Sequence, residues 1–186
     1  MPSSPAQPTL FPESRPTSRL VMRPATSSGP VSGKWISAHC DGGARGNPGP
    51  SGYGAFIQDA DGAVLAELSE FLGIQTNNFA EYSGLLASLD YALAHGHRRL
   101  RVVSDSELMV KQIQGSYKVK SPILRPLYDQ ARKKIAQLDA FEITHALRHK
   151  NKDADRLANQ AMDKGMDRGK GRTTPAVIDP YARKPV

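Results

Sequence analysis

The order of strand-like and helix-like segments constrains the fold of this chain more than any other feature. Three strand-like stretches come first, and the second and third flank Asp61-Gly62, a pair typical of a two-residue hairpin turn. The first helical spacing of apolar residues follows them and ends at Gly96. Two further strand-like segments then alternate with helical ones, which predicts the order β-β-β-α-β-α-α-β-α.

This order predicts how the strands pair. The first three strands are expected to be antiparallel neighbours, whereas the last two need helical crossovers and so run parallel to a neighbour. We therefore predict an α/β fold, a mixed five-stranded sheet flanked by helices. Asp59 and Asp61 superficially resemble a calcium-binding loop, but the later ligands of such a loop are absent, so a hairpin is the preferred interpretation.

Composition separates a central domain from two ends. Residues 1–34 are rich in proline and serine and predict a disordered tail, 35–165 predict the folded domain, and 166–186 predict a basic flexible tail. The formal net charge of +7 lies in the ends, since residues 35–163 hold as many acids as bases. Such a chain suggests a polyanionic partner; tails that only aid solubility are the alternative.

Targeting signals are weak. No apolar run approaches the roughly 20 residues that span a bilayer, and no secretory signal is found, so we expect no membrane association. Cys40 is the single cysteine, which excludes an intramolecular disulfide and a zinc site built from cysteines. We expect a cytoplasmic monomer. The arginines of 1–34 resemble an organellar transit peptide, but the prolines there oppose the amphipathic helix that such peptides form.

Four acids occupy positions where chemistry is usually built. Asp41 follows the first strand and Asp105 the fourth, so their carboxylates are neighbours if these strands are adjacent and parallel. Glu81 lies among the apolar positions of the first long helix, and Asp155 lies in the first turns of the last helix. An acid on the buried side of a helix is costly unless it is paired or binds a metal.

Converging carboxylates would repel one another and raise their pKa values, and bound Mg²⁺ or Mn²⁺ would relieve this repulsion. Two such ions about 3.5–4 Å apart can bracket a phosphodiester. Each acid alone has a more ordinary interpretation: a turn residue for Asp41, a helix N-cap for Asp105 and a helix-dipole partner for Asp155. The four together favour a metal site.

Four ordered motifs resemble the type 1 ribonuclease H family, in its RNase HI-like branch. They are DGGARGNPGPSGYGAFI, TNNFAEYSGLLASLDYAL, VVSDSELMVKQI and RHKNKDADRLANQAM, within about residues 35–165. The resemblance implies a ribonuclease H-like fold with strand order 3-2-1-4-5 and a metal site with two ions. Its ligands would be Asp41, Glu81, Asp105 and Asp155. Family members hydrolyse the RNA strand of an RNA–DNA hybrid, leaving a 5′-phosphate and a 3′-hydroxyl.

The resemblance also implies a nucleic-acid groove. By motif position, Asn47, Asn78 and Glu107 would line it, while Thr76 and Asn77 would help to hold the DNA strand. Asn77 and Asn78 can equally cap the helix that follows. Many members have glutamine at the position of Glu107, and an ionised glutamate cannot donate a hydrogen bond, which puts this contact in doubt. Arg45 could reach phosphate; an ordinary exposed loop arginine is the alternative.

Two further features of the family are its catalytic histidine and its basic handle. His145 is the candidate for the family's catalytic histidine and His149 the second candidate, with ordinary edge or surface residues as the alternative. The basic handle that some members carry is reduced to a modest cluster without tryptophan, for which a surface helix face is the alternative. Its members are Lys118, Lys120, Arg125, Arg132, Lys133 and Lys134. We expect weak, salt-sensitive hybrid binding, aided by the tails.

Other functions stay open at this point. One is cleavage of double-stranded RNA or of RNA–DNA junctions, which the branch resemblance allows. Another is a non-catalytic nucleic-acid-binding module with the same fold. The four acids argue against the module, because without metal they would repel phosphate.

Overall fold

The computed structural model describes residues 33–169. The strands are β1 (Trp35–Ala44), β2 (Gly49–Gln58), β3 (Val64–Gln75), β4 (Arg99–Ser104) and β5 (Ala140–His145). The helices are α1 (Asn77–Ala94), α2 (Glu107–Ile113), α3 (Leu124–Ile135) and α4 (Lys152–Gly169), with a short 3-10 turn at Arg148–Lys150. This is the predicted element order. The predicted tails lie mostly outside the described residues, and α4 continues beyond the predicted domain boundary at 165.

The five strands form one mixed sheet in the order β3-β2-β1-β4-β5, as predicted. β1 pairs antiparallel with β2, and β2 pairs antiparallel with β3. β4 pairs parallel with β1 and with β5, because helices carry the chain back to the starting edge before each of these strands. β1 is therefore the central strand, with an antiparallel neighbour on one side and a parallel neighbour on the other.

Helices cover both faces of the sheet. α1 packs against β1 and β2 on one face, and its buried Tyr82, Leu85 and Leu89 join Ile36 and Val102 of the strands in the main core. α4 packs against β2 and β3 on the other face, where Ser69 donates a hydrogen bond to the carbonyl of residue 157. The sheet is thus held between the two helices that carry predicted site acids.

The turn between β2 and β3 is longer than the predicted two residues. The N–H of Asp59 donates to the carbonyl of Ala63 at 2.9 Å, which leaves residues 60–62 as a three-residue loop. The Asp59 carboxylate accepts from the N–H of Asp61 and of Ala63, and Gly62 adopts a φ of +84°. A residue in the left-handed region after two turn residues is typical of three-residue hairpins. The hairpin is confirmed, and the Asp59 carboxylate is already hydrogen-bonded within its own turn.

Two helix starts correct the sequence interpretation. Thr76 is the N-cap of α1, and its hydroxyl accepts from the N–H of Phe79, so Asn77 and Asn78 do not cap this helix. Ser106, and not Asp105, is the N-cap of α2. Among the described residues, no helix is both long enough and apolar enough to span a bilayer.

Candidate active site

The parallel pairing of β1 and β4 brings two of the predicted acids together. In this pairing Cys40 lies opposite Ser104, so Asp41 and Asp105 are the next residues of two neighbouring strands. The predicted adjacency is therefore present. β1 continues to Ala44, however, because its pairing with β2 extends that far. Asp41 thus lies within the strand, which excludes a role as a turn residue.

Glu81 reaches the same place from α1 because a glycine lets the helix come close to β1. A Cβ atom on Gly42 would lie only 2.2 Å from the backbone nitrogen of Glu81. Glu81 is 5% exposed, and one carboxylate oxygen from each of Asp41, Glu81 and Asp105 lies within 4.8 Å of the others. We call these three residues the acid cluster.

The acid cluster is electrostatically strained without a cation. Burial raises the pKa of Asp41 to about 7, with Asp105 and Asp155 adding to the shift. Burial also raises the pKa of Glu81, followed by the charges of Asp41 and Asp105. The Oε2 atom of Glu81 is buried without a hydrogen-bond partner. Three close carboxylates with an unpartnered oxygen fit a hard divalent cation such as Mg²⁺ or Mn²⁺, whose preferred ligands are carboxylate oxygens.

The fourth predicted acid, Asp155, lies in the same cavity but outside the acid cluster. Arg148 donates to Asp155 Oδ1 at 2.7 Å, and Asn159 donates to Oδ2 at 3.1 Å. The hydrogen bond from Arg148 to Asp155, together with the negative charge of Asp155, raises the pKa of Arg148. Asp155 is thus neutralised by an arginine where the sequence predicts a metal ligand.

A cavity of about 420 Å³ contains these groups and opens to solvent. We call it the acidic cavity. It is lined by Asp41, Glu81, Asp105, Asp155, Arg148, Asn77, Arg45, Asn159 and small residues of β1. The small side chains of Gly42, Gly43 and Ala44 in this lining leave room for a ligand backbone beside the carboxylates.

Arg148 and Asn151 contact the site acids but were not predicted from the sequence as site residues. Arg148 lies in the basic run RHK, which has the composition of an ordinary exposed loop. Asn151, 1% exposed, donates to Asp105 Oδ1 at 3.1 Å and to the Cys40 carbonyl at 2.9 Å. Both residues lie close to Asp155 in the sequence, but that proximity does not indicate which groups they contact.

Of the two histidine candidates, only His145 has a contact with a site residue among the described residues. His145 is the last residue of β5, opposite Ser104, and its Nε2 is 3.2 Å from the Asp105 carbonyl oxygen. It is therefore both an edge-strand residue and a neighbour of the site. His149 is exposed in the 3-10 turn and does not line the acidic cavity.

Three predicted groove residues line a second cavity, of about 390 Å³, which we call the side cleft. Asn47, Thr76 and Asn78 form one part of it, and Lys118 and Lys120 form another. The side-chain Oδ1 of Asn47 accepts from the N–H of Asn77, which ties the glycine-rich loop to the start of α1. Asn77 itself lines the acidic cavity, so the two cavities lie on either side of this junction.

The remaining predicted contacts are placed differently. Arg45 lines the acidic cavity but pairs with Asp163 at 2.5 Å, so its charge is already compensated. Glu107 is exposed at the start of α2 and lines neither cavity. Of the basic cluster, Lys118 and Lys120 face the side cleft, whereas Arg125 and Lys134 form ion pairs with Asp129 and Asp90.

The chain is similar to several known proteins. The family model described as reverse transcriptase-like matches residues 39–161. The bifunctional protein Rv2228c of Mycobacterium tuberculosis is 46% identical over 144 residues, which are 77% of this chain and 40% of that protein. The chain thus spans less than half the length of this relative. Ribonuclease HI of Halobacterium salinarum is 39% identical over 134 residues, 72% of this chain and 67% of that protein.

Solved structures give the same result. The N-terminal RNase H domain of Rv2228c, fused to maltose-binding protein, matches with a TM-score of 0.71 at 44% identity, covering 73% of this chain and 99% of that one. LC11-RNase H1 in complex with an RNA/DNA hybrid matches with a TM-score of 0.66 at 41% identity, covering 70% and 99%. Sequence motifs, sheet order and these matches lead to one conclusion: the chain belongs to the reverse transcriptase-like family and carries a ribonuclease H domain.

Proposed function

We propose that this chain is a metal-dependent endoribonuclease that hydrolyses the RNA strand of RNA–DNA hybrids, leaving 5′-phosphate and 3′-hydroxyl ends. The observation that carries the proposal is the acid cluster, in which three carboxylate oxygens lie within 4.8 Å of one another in the lining of a solvent-open cavity. The hybrid as substrate is supported by LC11-RNase H1, a similar protein solved with an RNA/DNA hybrid.

Asp41, Glu81 and Asp105 would hold the metal, and Asp155 would join them on release from Arg148. Two bound Mg²⁺ or Mn²⁺ ions would supply an activated water and neutralise charge that develops on the phosphate. Arg148, at the cavity lining, provides a cation that can pair with phosphate when Asp155 leaves it. His145, hydrogen-bonded to the Asp105 backbone, lies at the edge of the site, and histidine is the side chain suited to moving protons near neutral pH.

The side cleft supports binding of the second strand. Asn47, Thr76 and Asn78 offer amide and hydroxyl groups, and Lys118 and Lys120 offer positive charge. The described residues that line the cleft include no aromatic side chain on which a base could stack. Contacts of this kind hold a sugar-phosphate backbone without reading its sequence. A hybrid whose RNA strand lies over the acidic cavity can place its DNA strand here, and recognition of 2′-hydroxyls restricts cleavage to RNA.

The test compares several substrates, each with the wild-type protein and with a variant of the acid cluster. The full chain is incubated at low salt with Mg²⁺ or Mn²⁺ and labelled hybrid, duplex RNA, an RNA–DNA junction or single-stranded RNA. We expect hybrid cleavage to 5′-phosphate ends, and a loss of at least about 100-fold for Asp105→Asn, since even residues that only support metal ligands cost 10–100-fold. Size-exclusion chromatography under the same conditions tests the expected monomer.

Four outcomes would change the conclusion. Hybrid left intact with both metals contradicts the proposal. Duplex RNA or a junction cut faster than hybrid assigns the alternative nuclease activity. Binding of all substrates without cleavage identifies a non-catalytic module, and cleavage that persists in Asp105→Asn reveals a contaminating nuclease.

A further inference from the structure

Asn151 connects the separate segments that carry the site acids. It precedes α4, and its backbone carbonyl accepts from the N–H of Asp155 at 3.1 Å, in the first turn of the helix. Its side-chain amide donates to the Cys40 carbonyl at 2.9 Å, one residue before Asp41, and to Asp105 Oδ1 at 3.1 Å. One residue therefore contacts the end of β4, the middle of β1 and the start of α4.

The Asp105 carboxylate accepts from a donor on a distant segment of the chain, the side-chain amide of Asn151. Asp41 Oδ1 accepts from the N–H of Gly42 at 2.8 Å, and Asp155 accepts from both Arg148 and Asn159. Among residues 33–169, the hydrogen bond that the structure gives to the Asp105 carboxylate comes from Asn151. Without this donor the carboxylate could rotate away from its two like-charged neighbours.

The burial of Asn151 makes the contact specific. The residue is 1% exposed, and a buried N–H is costly unless hydrogen bonds replace its lost hydration. The Nδ2 atom makes both of its hydrogen bonds, whereas Oδ1 is buried without a partner. His39 lies beside the same amide, and this contact partly offsets the burial that lowers the pKa of His39. With β1 on one side and Asp105 on the other, the amide has few orientations in which its donors are satisfied, so it fixes the carboxylate.

We propose that Asn151 is a positioning residue, whose side-chain amide holds the Asp105 carboxylate beside Asp41 and Glu81 in the geometry that binds the metal. The role rests on the proposed function, because positioning matters only if the acid cluster binds a divalent ion. Asn151 acts through Asp105 and does not itself contact substrate or metal. Residues that orient metal ligands in this way typically change metal affinity or activity by about 10- to 100-fold when they are removed.

The test uses Asn151→Ala together with Asn151→Ser. Serine favours the start of a helix, so it preserves the local backbone while its short side chain loses the contact with Asp105. Ser69→Ala is the matched control, since it removes a hydrogen bond between the sheet and α4 far along the chain from Asp105. Calorimetry measures Mn²⁺ binding to each protein without nucleic acid, and steady-state kinetics on hybrid gives kcat and KM.

We expect both Asn151 variants to bind Mn²⁺ about 10- to 100-fold more weakly and to lose kcat by a similar factor, with KM for hybrid within about threefold of wild type. Ser69→Ala should lower Tm but leave Mn²⁺ affinity and kcat near wild type. Wild-type Mn²⁺ affinity and kcat in the Asn151 variants would overturn the proposal, as would loss of folding in both variants, which would assign Asn151 to stability alone.

The proposed function fails independently of this result. If the wild-type chain does not cleave hybrid, the function is wrong, whereas Mn²⁺ binding by the acid cluster and its dependence on Asn151 can still be measured. If the wild-type chain cleaves hybrid and the variants bind Mn²⁺ as tightly, only the positioning role is wrong.

Discussion

Single side chains decide how strongly this surface attracts a polyanion, and Glu107 is the clearest example. It is exposed at the start of α2, two residues after Asp105, where the family motif places a groove contact. An ionised carboxylate repels phosphate and cannot donate a hydrogen bond. Glu107→Gln is therefore expected to lower KM for hybrid about two- to fivefold at low salt, with kcat nearly unchanged, because one repulsive surface charge costs up to roughly 1 kcal/mol.

Asp61→Asn provides the control for this prediction. It makes the same change of charge on the β2–β3 hairpin, at the end of the sheet opposite Asp41, since Gln58 pairs with Ser37. The KM of Asp61→Asn for hybrid should match that of wild type. Equal KM values for Glu107→Gln and Asp61→Asn would show that residue 107 does not face the substrate.

A second prediction at the residue scale concerns the pH dependence of the metal-free protein. The pKa of Asp41 rises from 3.8 to about 7 on folding, chiefly through burial. Between these values the folded state binds more protons than the unfolded state, so the free energy of unfolding falls as pH rises. In EDTA, wild-type Tm should therefore decline from pH 4.5 to 7.5 more steeply than that of Asp41→Asn.

Added Mg²⁺ completes this measurement. At pH 7.5 the ion should raise wild-type Tm, because it binds the folded carboxylates and not the unfolded chain. The rise should be much smaller in Asp41→Asn. Parallel Tm curves for the two proteins in EDTA would show that Asp41 carries no folding-dependent shift in its pKa.

At the scale of elements, the position of α4 depends on glycines in β2. A Cβ atom on Gly54 would lie 2.3 Å from the Ala154 carbonyl oxygen and 2.5 Å from Leu157 Cβ. Gly54→Ala must therefore displace the helix that carries Asp155. We expect a loss of stability of about 2–3 kcal/mol, which is about 5–10 °C in Tm for a chain of this size.

Gly43→Ala is the matched variant. A Cβ atom there would meet only the flexible end of Met162, at 3.0 Å, which can move aside. Thermal denaturation should therefore show a change of less than about 1 kcal/mol. A similar loss of stability in both variants would show that the loss in Gly54→Ala comes from general strain in the sheet and not from the contact between β2 and α4.

The elements also show why the sequence predicted one part of the site and missed another. The adjacency of Asp41 and Asp105 follows from topology, since crossover helices make β1 and β4 parallel and bring their C-terminal ends together. The contact of Asn151 with Cys40 joins residues 111 apart, and no local pattern encodes it. The pairing of Arg148 with Asp155 was likewise hidden, because it depends on how the 3-10 turn folds over α4.

At the scale of the whole molecule, the central domain contributes none of the net positive charge. Residues 35–163 are neutral overall, and many of the domain's cations are paired with acids on their own surface, as Arg45 is with Asp163 and Arg101 with Glu142. Lys118 and Lys120 face the side cleft. The net positive charge of the chain therefore lies in its ends, and these should supply much of the long-range attraction for a polyanion.

This charge distribution predicts how hybrid binding depends on salt. Glutamine in place of the seven basic residues of 1–32 and 170–186 should raise KM about 3- to 10-fold at 50 mM salt and have little effect at 300 mM, since each lost phosphate contact reduces the salt slope by about 0.9. The substituted residues are Arg15, Arg19, Arg23, Lys170, Arg172, Arg183 and Lys184. The acid cluster is untouched, so kcat should not change.

A matched variant separates charge from composition. Residues 1–34 contain seven serines, and their replacement by glutamine changes the same number of side chains without changing charge. Steady-state kinetics across salt concentrations should give this variant wild-type KM values. If the charge variant also keeps wild-type KM and salt slope, the ends take no part in binding. The central domain, which carries no net charge, must then bind the hybrid without the ends, through the side cleft and the metal bound by the acid cluster.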